Sequence, residues 1–145
     1  AAEAARAAWL TSLGVDDGPG TGAAGGAAAA VRALGGRVLP GTRLCAELAG
    51  LARTLSRADV VVTGCTSFDI GNRGGRVVRF VAESAVDAQR PCLVFARESS
   101  LSRREMRTFG VEAAHACEPG PLPEALTAAS VRVARGWTAS MRGVD

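Results

Sequence analysis

Ala58-Asp59-Val60-Val61-Val62-Thr63-Gly64 is the stretch that decides the fold. Val60 to Thr63 is an unbroken β-branched run with no polar alternation, the pattern of a strand buried on both faces, and Gly64 opens a long polar loop behind it. Similar runs recur at Cys92 to Ala96 and near Val111 to Ala116. Between them the period turns helical. Arg76 to Arg90 would bury Val77, Phe80, Val81 and Ala88, and a short helix from Leu101 to Phe109 carries the Ser102 to Glu105 capping spacing and stops at Gly110. Pro121 and Pro123 open a last helix with the stripe Leu126, Ala129, Val133, Trp137 and Met141. The βαβαβα order predicts a parallel sheet with right-handed crossovers and helices on both faces, a three-layer Rossmann-like α/β fold.

The chain before this alternation has a different texture. Ala2 to Leu13 reads as a helix, with Ala5, Trp9 and Leu13 four residues apart and Gly14 as its stop. A glycine-rich loop, Asp17-Gly18-Pro19-Gly20-Thr21-Gly22-Ala23-Ala24-Gly25-Gly26, leads into a predicted helix from Ala23 to Leu34. Arg37 to Leu39 reads as a short strand closed by Pro40-Gly41, and Leu44, Leu48, Leu51 and Leu55 predict one helix running to Arg57. A boundary is expected between Leu39 and Thr42. Residues 1–41 then form a glycine-rich helical segment belonging to a second lobe, and 42–145 the α/β domain.

At 145 residues, 48% hydrophobic and 21% charged, the chain has material for an ordinary core. Its net charge is +3, carried entirely by arginine since the sequence holds no lysine. That excludes a Walker-type phosphate loop and Schiff-base chemistry. The arginines are dispersed, aromatics make up 4% and there is no Tyr, which argues against nucleic acid as a partner. Cys45, Cys65, Cys92 and Cys117 make no C-x-x-C pair, and with His115 as the lone histidine they predict no zinc site. No apolar run reaches membrane-span length and the start is unlike a signal peptide, so a cytoplasmic protein without a membrane partner is expected. The chain does not begin with Met, consistent with a processed product or a fragment.

Two constellations can carry chemistry. Gly20-x-Gly22-x-x-Gly25 matches the dinucleotide-binding pattern in letters, but that pattern needs a preceding strand, and Leu13-Gly14-Val15-Asp16-Asp17 does not read as one. The glycines either let a helix pack closely or turn backbone N–H groups toward a small anion. The second constellation is the loop from Thr63 to Arg76, expected at the carboxyl end of the first strand, where α/β sheets bind ligands. There Asp69 would hold Mg²⁺ or orient a hydroxyl, and Arg73 and Arg76 would neutralise transferred charge. The plain alternative is a solvated surface loop. His115 and Arg103-Arg104 read as an edge histidine and a solvated helix face.

These landmarks, in this order, resemble the bacterial glycerate kinase family. The resemblance rests on Pro19 to Gly26 as P-G-x-G-A-A-G-G, on Pro40-Gly41, on Ala58 to Gly64 as A-D-[LV]-V-[IV]-T-G, and on Gly110-Val111 and Pro121 to Leu126. It implies ATP-dependent phosphorylation of glycerate with ATP and Mg²⁺ as cofactors. Asp69 and Arg76 would be the catalytic residues and Asp69 the metal ligand, while Gly20, Gly22, Gly25, Thr63 and Gly64 would bind the cofactor. Family members continue the strand as E-G-x-x-D and follow it with Gly-Lys. Here Cys65 and Thr66 replace the Glu and Gly, and Arg76 replaces the Lys. The family also has an N-terminal half with an Asp-Ser-Phe-Lys-Gly segment that this sequence does not contain. A fragment or degenerate copy is expected, with glycerate, its own N-terminal half or a second copy of the chain as partners. The alternative is a catalytically silent homologue serving as a binding or scaffold module.

Overall fold

The computed structural model describes residues 2–141, without the side chains of 137–141. It divides into two compact units between Cys45 and Ala46. In the first, helix α1 (Ala2–Leu13) buries Leu10, and the Trp9 indole donates to the Gly26 carbonyl at 3.1 Å. The helix expected from Ala23 begins instead as a 3₁₀ turn, Ala23–Gly26, and becomes α-helical only in α2 (Ala27–Ala33). Ala24, Gly25 and Gly26 adopt φ of 51°, 64° and 95°, and this left-handed run interrupts the i to i+4 ladder. Arg37 to Leu39, expected as a strand, is irregular backbone. Among the described residues it has no ladder partner, and a strand exists only through pairing.

Helix α3 (Gly41–Leu48) ends where Gly50 turns left-handed, at φ 65°, and caps α4 (Leu51–Leu55). One expected helix is therefore two, because the apolar period continues across a glycine that leaves the helical region. The second unit then alternates as predicted: β1 (Val61–Phe68), α5 (Gly75–Asp87), β2 (Cys92–Ser99), α6 (Arg103–Thr108), β3 (Ala113–Ala116) and α7 (Leu122–Met141). The three strands pair in parallel in the order β1-β2-β3, with Val61 opposite Cys92, Gly64 opposite Phe95 and Phe95 opposite His115.

Two apolar clusters lie on opposite faces of this sheet and define its three layers. One joins Phe68, Val94 and Ala96 to Val78, Ala82 and Ala85 of α5 and Met106 of α6. The other joins Phe95 and Cys117 to Ala125 and Ala129 of α7. Cys92 to Ala96 is buried without interruption, as a central strand covered on both sides requires. β1 instead alternates, exposing Val62, Gly64 and Thr66, because it is an edge strand with one face bare.

The helix faces are shifted from expectation. α5 seats Val78, Ala82 and Ala85 rather than Val77, which is exposed, while Phe80, Val81 and Ala88 are half-buried. The contact stripe of α7 is Ala125, Ala129 and Val133, with Leu126 exposed. Trp137 and Met141 of the expected stripe lie outside the described side chains. In both helices alanine takes the contact face, because a small side chain lets the helix axis approach the sheet. The larger apolar residues at neighbouring positions are displaced to the rim.

The capping spacing on α6 forms as read. Glu105 N donates to Ser102 Oγ at 3.4 Å and Ser102 N to Glu105 Oε2 at 2.8 Å. Gly110, at φ 73°, stops the helix. Ser102→Ala should cost about 1 kcal/mol, the usual worth of such a cap, read as a lower urea midpoint with unchanged slope.

Candidate functional site at the carboxyl edge of the sheet

β1 does not stop at Gly64. Pairing with β2 carries it through to Phe68, so the ligand-type loop begins at Asp69, not at Thr63. Inter-strand pairing has overridden the breaker signal of Gly64, whose lack of a Cβ suits the site: a Cβ there would stand 3.0 Å from the Phe95 carbonyl oxygen. Thr63 and Gly64 are thus mid-strand residues. With Thr66, Arg97, Leu126 and Ser130 they line a 490 Å³ groove over the bare face of β1 beside α7. Arg97 and Ser130 were not singled out in the sequence, because nothing local marks residues that meet across a sheet and a distant helix.

Asp69 sits immediately beyond the buried Phe68 and organises the turn into α5. Its Oδ1 accepts from Gly71 N at 2.8 Å and Asn72 N at 2.9 Å, and its Oδ2 accepts from Ser67 Oγ at 3.0 Å. A second turn follows, with Gly74 N donating to Asn72 Oδ1 at 2.7 Å. The Asn72 amide and the Ser67 hydroxyl hold the Asp69 carboxyl below its ordinary range, and it is ionised at neutral pH. Ser67 and Asn72 escaped the sequence reading, although Asp-x-Gly-Asn is an Asx-turn signature. Gly74 must be glycine on two counts: φ is 72°, and a Cβ would meet Val78 side-chain carbons at 2.8 to 2.9 Å.

Arg76 stands exposed in the first turn of α5. Arg73 turns elsewhere, its guanidinium carbon lying 4.5 Å from the centroid of the Phe109 ring. Cys65 is a β1 residue opposite Ala96, half-buried against the α5 side of the core. Burial, and then the nearby Asp69 charge, push its thiol up, so it stays protonated and is no Mg²⁺ ligand. No group of three His, Cys, Asp or Glu side chains converges on a metal position among the described residues. Asp69 fits Mg²⁺ only in the manner of a single carboxylate acting with substrate phosphates and water, through Oδ2, which keeps acceptor capacity. His115 is half-buried on β3, 5.6 Å from the Phe95 ring, with its pKa lowered by burial and by Arg132; it faces no site.

The glycine-rich loop of the first unit is built around a different carboxylate. Asp17 receives two bonds from Arg6, to Oδ1 at 2.5 Å and to Oδ2 at 2.7 Å, and the buried Thr21 hydroxyl lies 2.9 Å from Oδ1. Arg6 and Thr21 hold Asp17 down to about 2. Irregular backbone, not a strand, precedes the loop, which removes the dinucleotide reading. Gly20 is required, since φ is 87° and a Cβ would approach Val38 to 2.9 Å. Gly22 has an ordinary φ of −82° and Gly25 open space around it, while Gly26, outside the pattern, lies under the Trp9 ring. The Thr21 and Ala23 amides are spent inside the loop, on Gly18 and Gly20 carbonyls.

The second unit is a parallel three-layer α/β unit with a polar, carboxylate-centred loop at the sheet's carboxyl edge, which defines its class as Rossmann-like α/β. Residues 2–143 match the model of the glycerate kinase family, and the chain belongs to that family. Two uncharacterized relatives, Mb2228c of Mycobacterium bovis and MT2261 of Mycobacterium tuberculosis, are 38% identical over 114 residues, covering 74% of this chain and 30% of each relative. The crystal structure of a protein provisionally named glycerate kinase 2, from Salmonella typhimurium LT2, superposes with a TM-score of 0.62 at 29% identity, over 97% of this chain and 38% of that one. The chain therefore spans about a third of the length of the proteins it matches.

Gly74→Ala should destabilise the second unit by roughly 1–3 kcal/mol, from left-handed strain and overlap with Val78, seen as a lower denaturation midpoint. The Asp17 contacts give a pH signature. Because its folded pKa lies below the ordinary 3.8, the stability it contributes is present above that value and is lost as pH falls toward 2. Carbon NMR of the Asp17 carboxyl should show titration near 2, returning toward 3.8 in Arg6→Gln.

Proposed function

We propose that this chain is part of a glycerate kinase, transferring the terminal phosphoryl group of ATP to a hydroxyl of glycerate. Family membership supports the reading, and the observation that carries it is the Asp69 turn, an ionised carboxylate fixed by three donors at the carboxyl end of a parallel strand. In the transfer the acceptor oxygen bonds to phosphorus, the bond to the leaving ADP oxygen breaks, and the hydroxyl proton passes to solvent or a base. Such chemistry needs positioning and charge neutralisation more than covalent help. Asp69 Oδ2 would hold Mg²⁺ or orient the acceptor hydroxyl, and Arg76 would face transferred charge. Mg²⁺, when bound, supplies neutralisation of the phosphate oxygens. The groove along Thr63, Gly64 and Thr66 rises on β1 toward the end that bears Asp69 and suits the nucleoside part of ATP, offering hydroxyls, an apolar wall and one guanidinium. Gly20, Gly22 and Gly25 remain candidates for anion-facing backbone, Gly20 with the firmest structural need.

One observation favours a second reading, a catalytically silent binding or scaffold module. Cys65, where the family's motif carries Glu, is a protonated thiol in contact with the core and supplies no acidic ligand. The open edge and bare face of β1 also fit a site that requires further chain to complete it.

Calorimetric titration of Mg²⁺-ATP tests both. Binding that weakens about tenfold in Asp69→Asn and in Arg76→Gln is expected from loss of one charged contact each. ATP binding that is indifferent to Mg²⁺ and to Asp69 would remove the kinase reading. With glycerate added and ADP release coupled to a reporter, this chain alone should show no turnover. Cys65→Glu should raise Mg²⁺-ATP affinity in a decayed kinase; in a repurposed scaffold it should only lower the melting temperature.

A further inference from the structure

The outer side of α5 and the short helix α6 carry two adjoining grooves that the phosphotransfer reading leaves unused. One, of 360 Å³, is lined by Arg73, Arg79 and Arg107 with Phe109 as its apolar wall. The other, of 650 Å³, is lined by Arg103, Arg104, Arg107 and Thr108. Arg107 and Thr108 belong to both, so the two form one continuous surface bearing five guanidinium groups. Among the described residues the only ion pair made by these five is a long one, Arg107 to Glu112 at 3.8 Å with both partners exposed, and Glu105 is already engaged by Ser102.

Local structure does not explain this concentration of charge. Arg103 and Arg104 occupy the first turn of α6, where the helix dipole disfavours cations, and α6 is too short for its own amides to make an anion site. Arg73 holds a left-handed backbone at φ 50°, and its guanidinium is laid over Phe109, which fixes the charge at the mouth of the first groove. Arg73 is thus held by its ring contact, while Arg103 and Arg104 stand exposed against the dipole of their own turn.

We propose that this surface binds a small polyhydroxylated molecule carrying two phosphate groups. Two adjoining arginine-lined grooves match two anions, and arginine's planar fork matches phosphate oxygens. Glu83 and Asp87, on the α5 wall of the first groove, would accept from ligand hydroxyls. Phe109, the lone aromatic among the lining residues, has its face covered by Arg73, which disfavours the base stacking that nucleic acid needs.

Calorimetry on the whole chain with fructose 1,6-bisphosphate, orthophosphate and a ten-nucleotide single-stranded DNA decides it. The bisphosphate should bind saturably, at least about tenfold tighter than orthophosphate, and lose affinity by about tenfold or more in Arg107→Gln and in the double variant Arg103→Gln/Arg104→Gln. Raised salt should weaken it further. These arginines are exposed, and circular dichroism of each variant checks that the fold is kept. Arg97→Gln, which removes the guanidinium of the groove over β1, should leave bisphosphate binding unchanged, which separates this surface from the proposed phosphotransfer site. Absence of saturable binding, equal affinity in the variants at Arg103, Arg104 and Arg107, an equal loss in Arg97→Gln, or tighter binding of the DNA would each overturn the proposal.

Discussion

The Asp69 carboxylate is the hinge on which the second unit is organised. An edge strand must end, reverse and feed a helix that packs back on the same sheet, and Asp69 supplies the acceptors that fix the exposed amides of that turn. Gly71 and Asn72 amides close on one oxygen, Ser67 on the other, and Asn72 repeats the device one step later for Gly74. The helix so launched drops Val78 and Ala82 onto the sheet. The charge that shapes the turn is the one on which the proposed phosphotransfer site is centred, so under that proposal both demands fall on one side chain.

Much of this was legible in the sequence, and the failures have particular causes. The apolar runs at Val60, Cys92 and Val111 and the intervening helical periods gave three parallel strands and their crossovers, because period and order are local signals. Ser102 and Glu105 announced a cap that forms. The length of β1 was misread, since Gly64 breaks a strand in isolation but not one zipped to a partner. The faces of α5 and α7 were read in part: Val81, Ala88, Ala129 and Val133 pack on the core as expected, but Val77 and Leu126 are exposed, and Val78, Ala82, Ala85 and Ala125 take the inner positions that larger side chains were expected to hold. Asp69 was singled out as part of the loop after the first strand, and the longer β1 places it directly at the strand's end. The groove partners Arg97 and Ser130 were invisible, being brought together only by the tertiary fold.

The cysteines show how environment, not residue type, sets chemistry. Cys92 is buried within the central strand and its thiol is pushed up to about 11, the behaviour of a small hydrophobe. Cys65 keeps partial exposure yet shares its surroundings with an anion, and is protonated for both reasons. Both stay in the thiol form at neutral pH. What acidity the carboxyl edge possesses is concentrated in Asp69, and the arginines, incapable of losing their protons, fix the opposing sign at every ordinary pH.

The alanine-faced helices have an evolutionary corollary. Where a core is held by bulky side chains, drift proceeds by truncation, each loss leaving a void. Here much of the contact face of α5 and α7 is alanine, with Val78 and Val133 as the larger members, and at Ala85 or Ala129 the costly direction is enlargement, since a branched residue there must push the helix away from the sheet. Small side chains fit best at these two positions, while the rim around them is exposed. Descendants of this chain would diverge rapidly in surface and in partners while the spacing between sheet and helices stayed nearly constant.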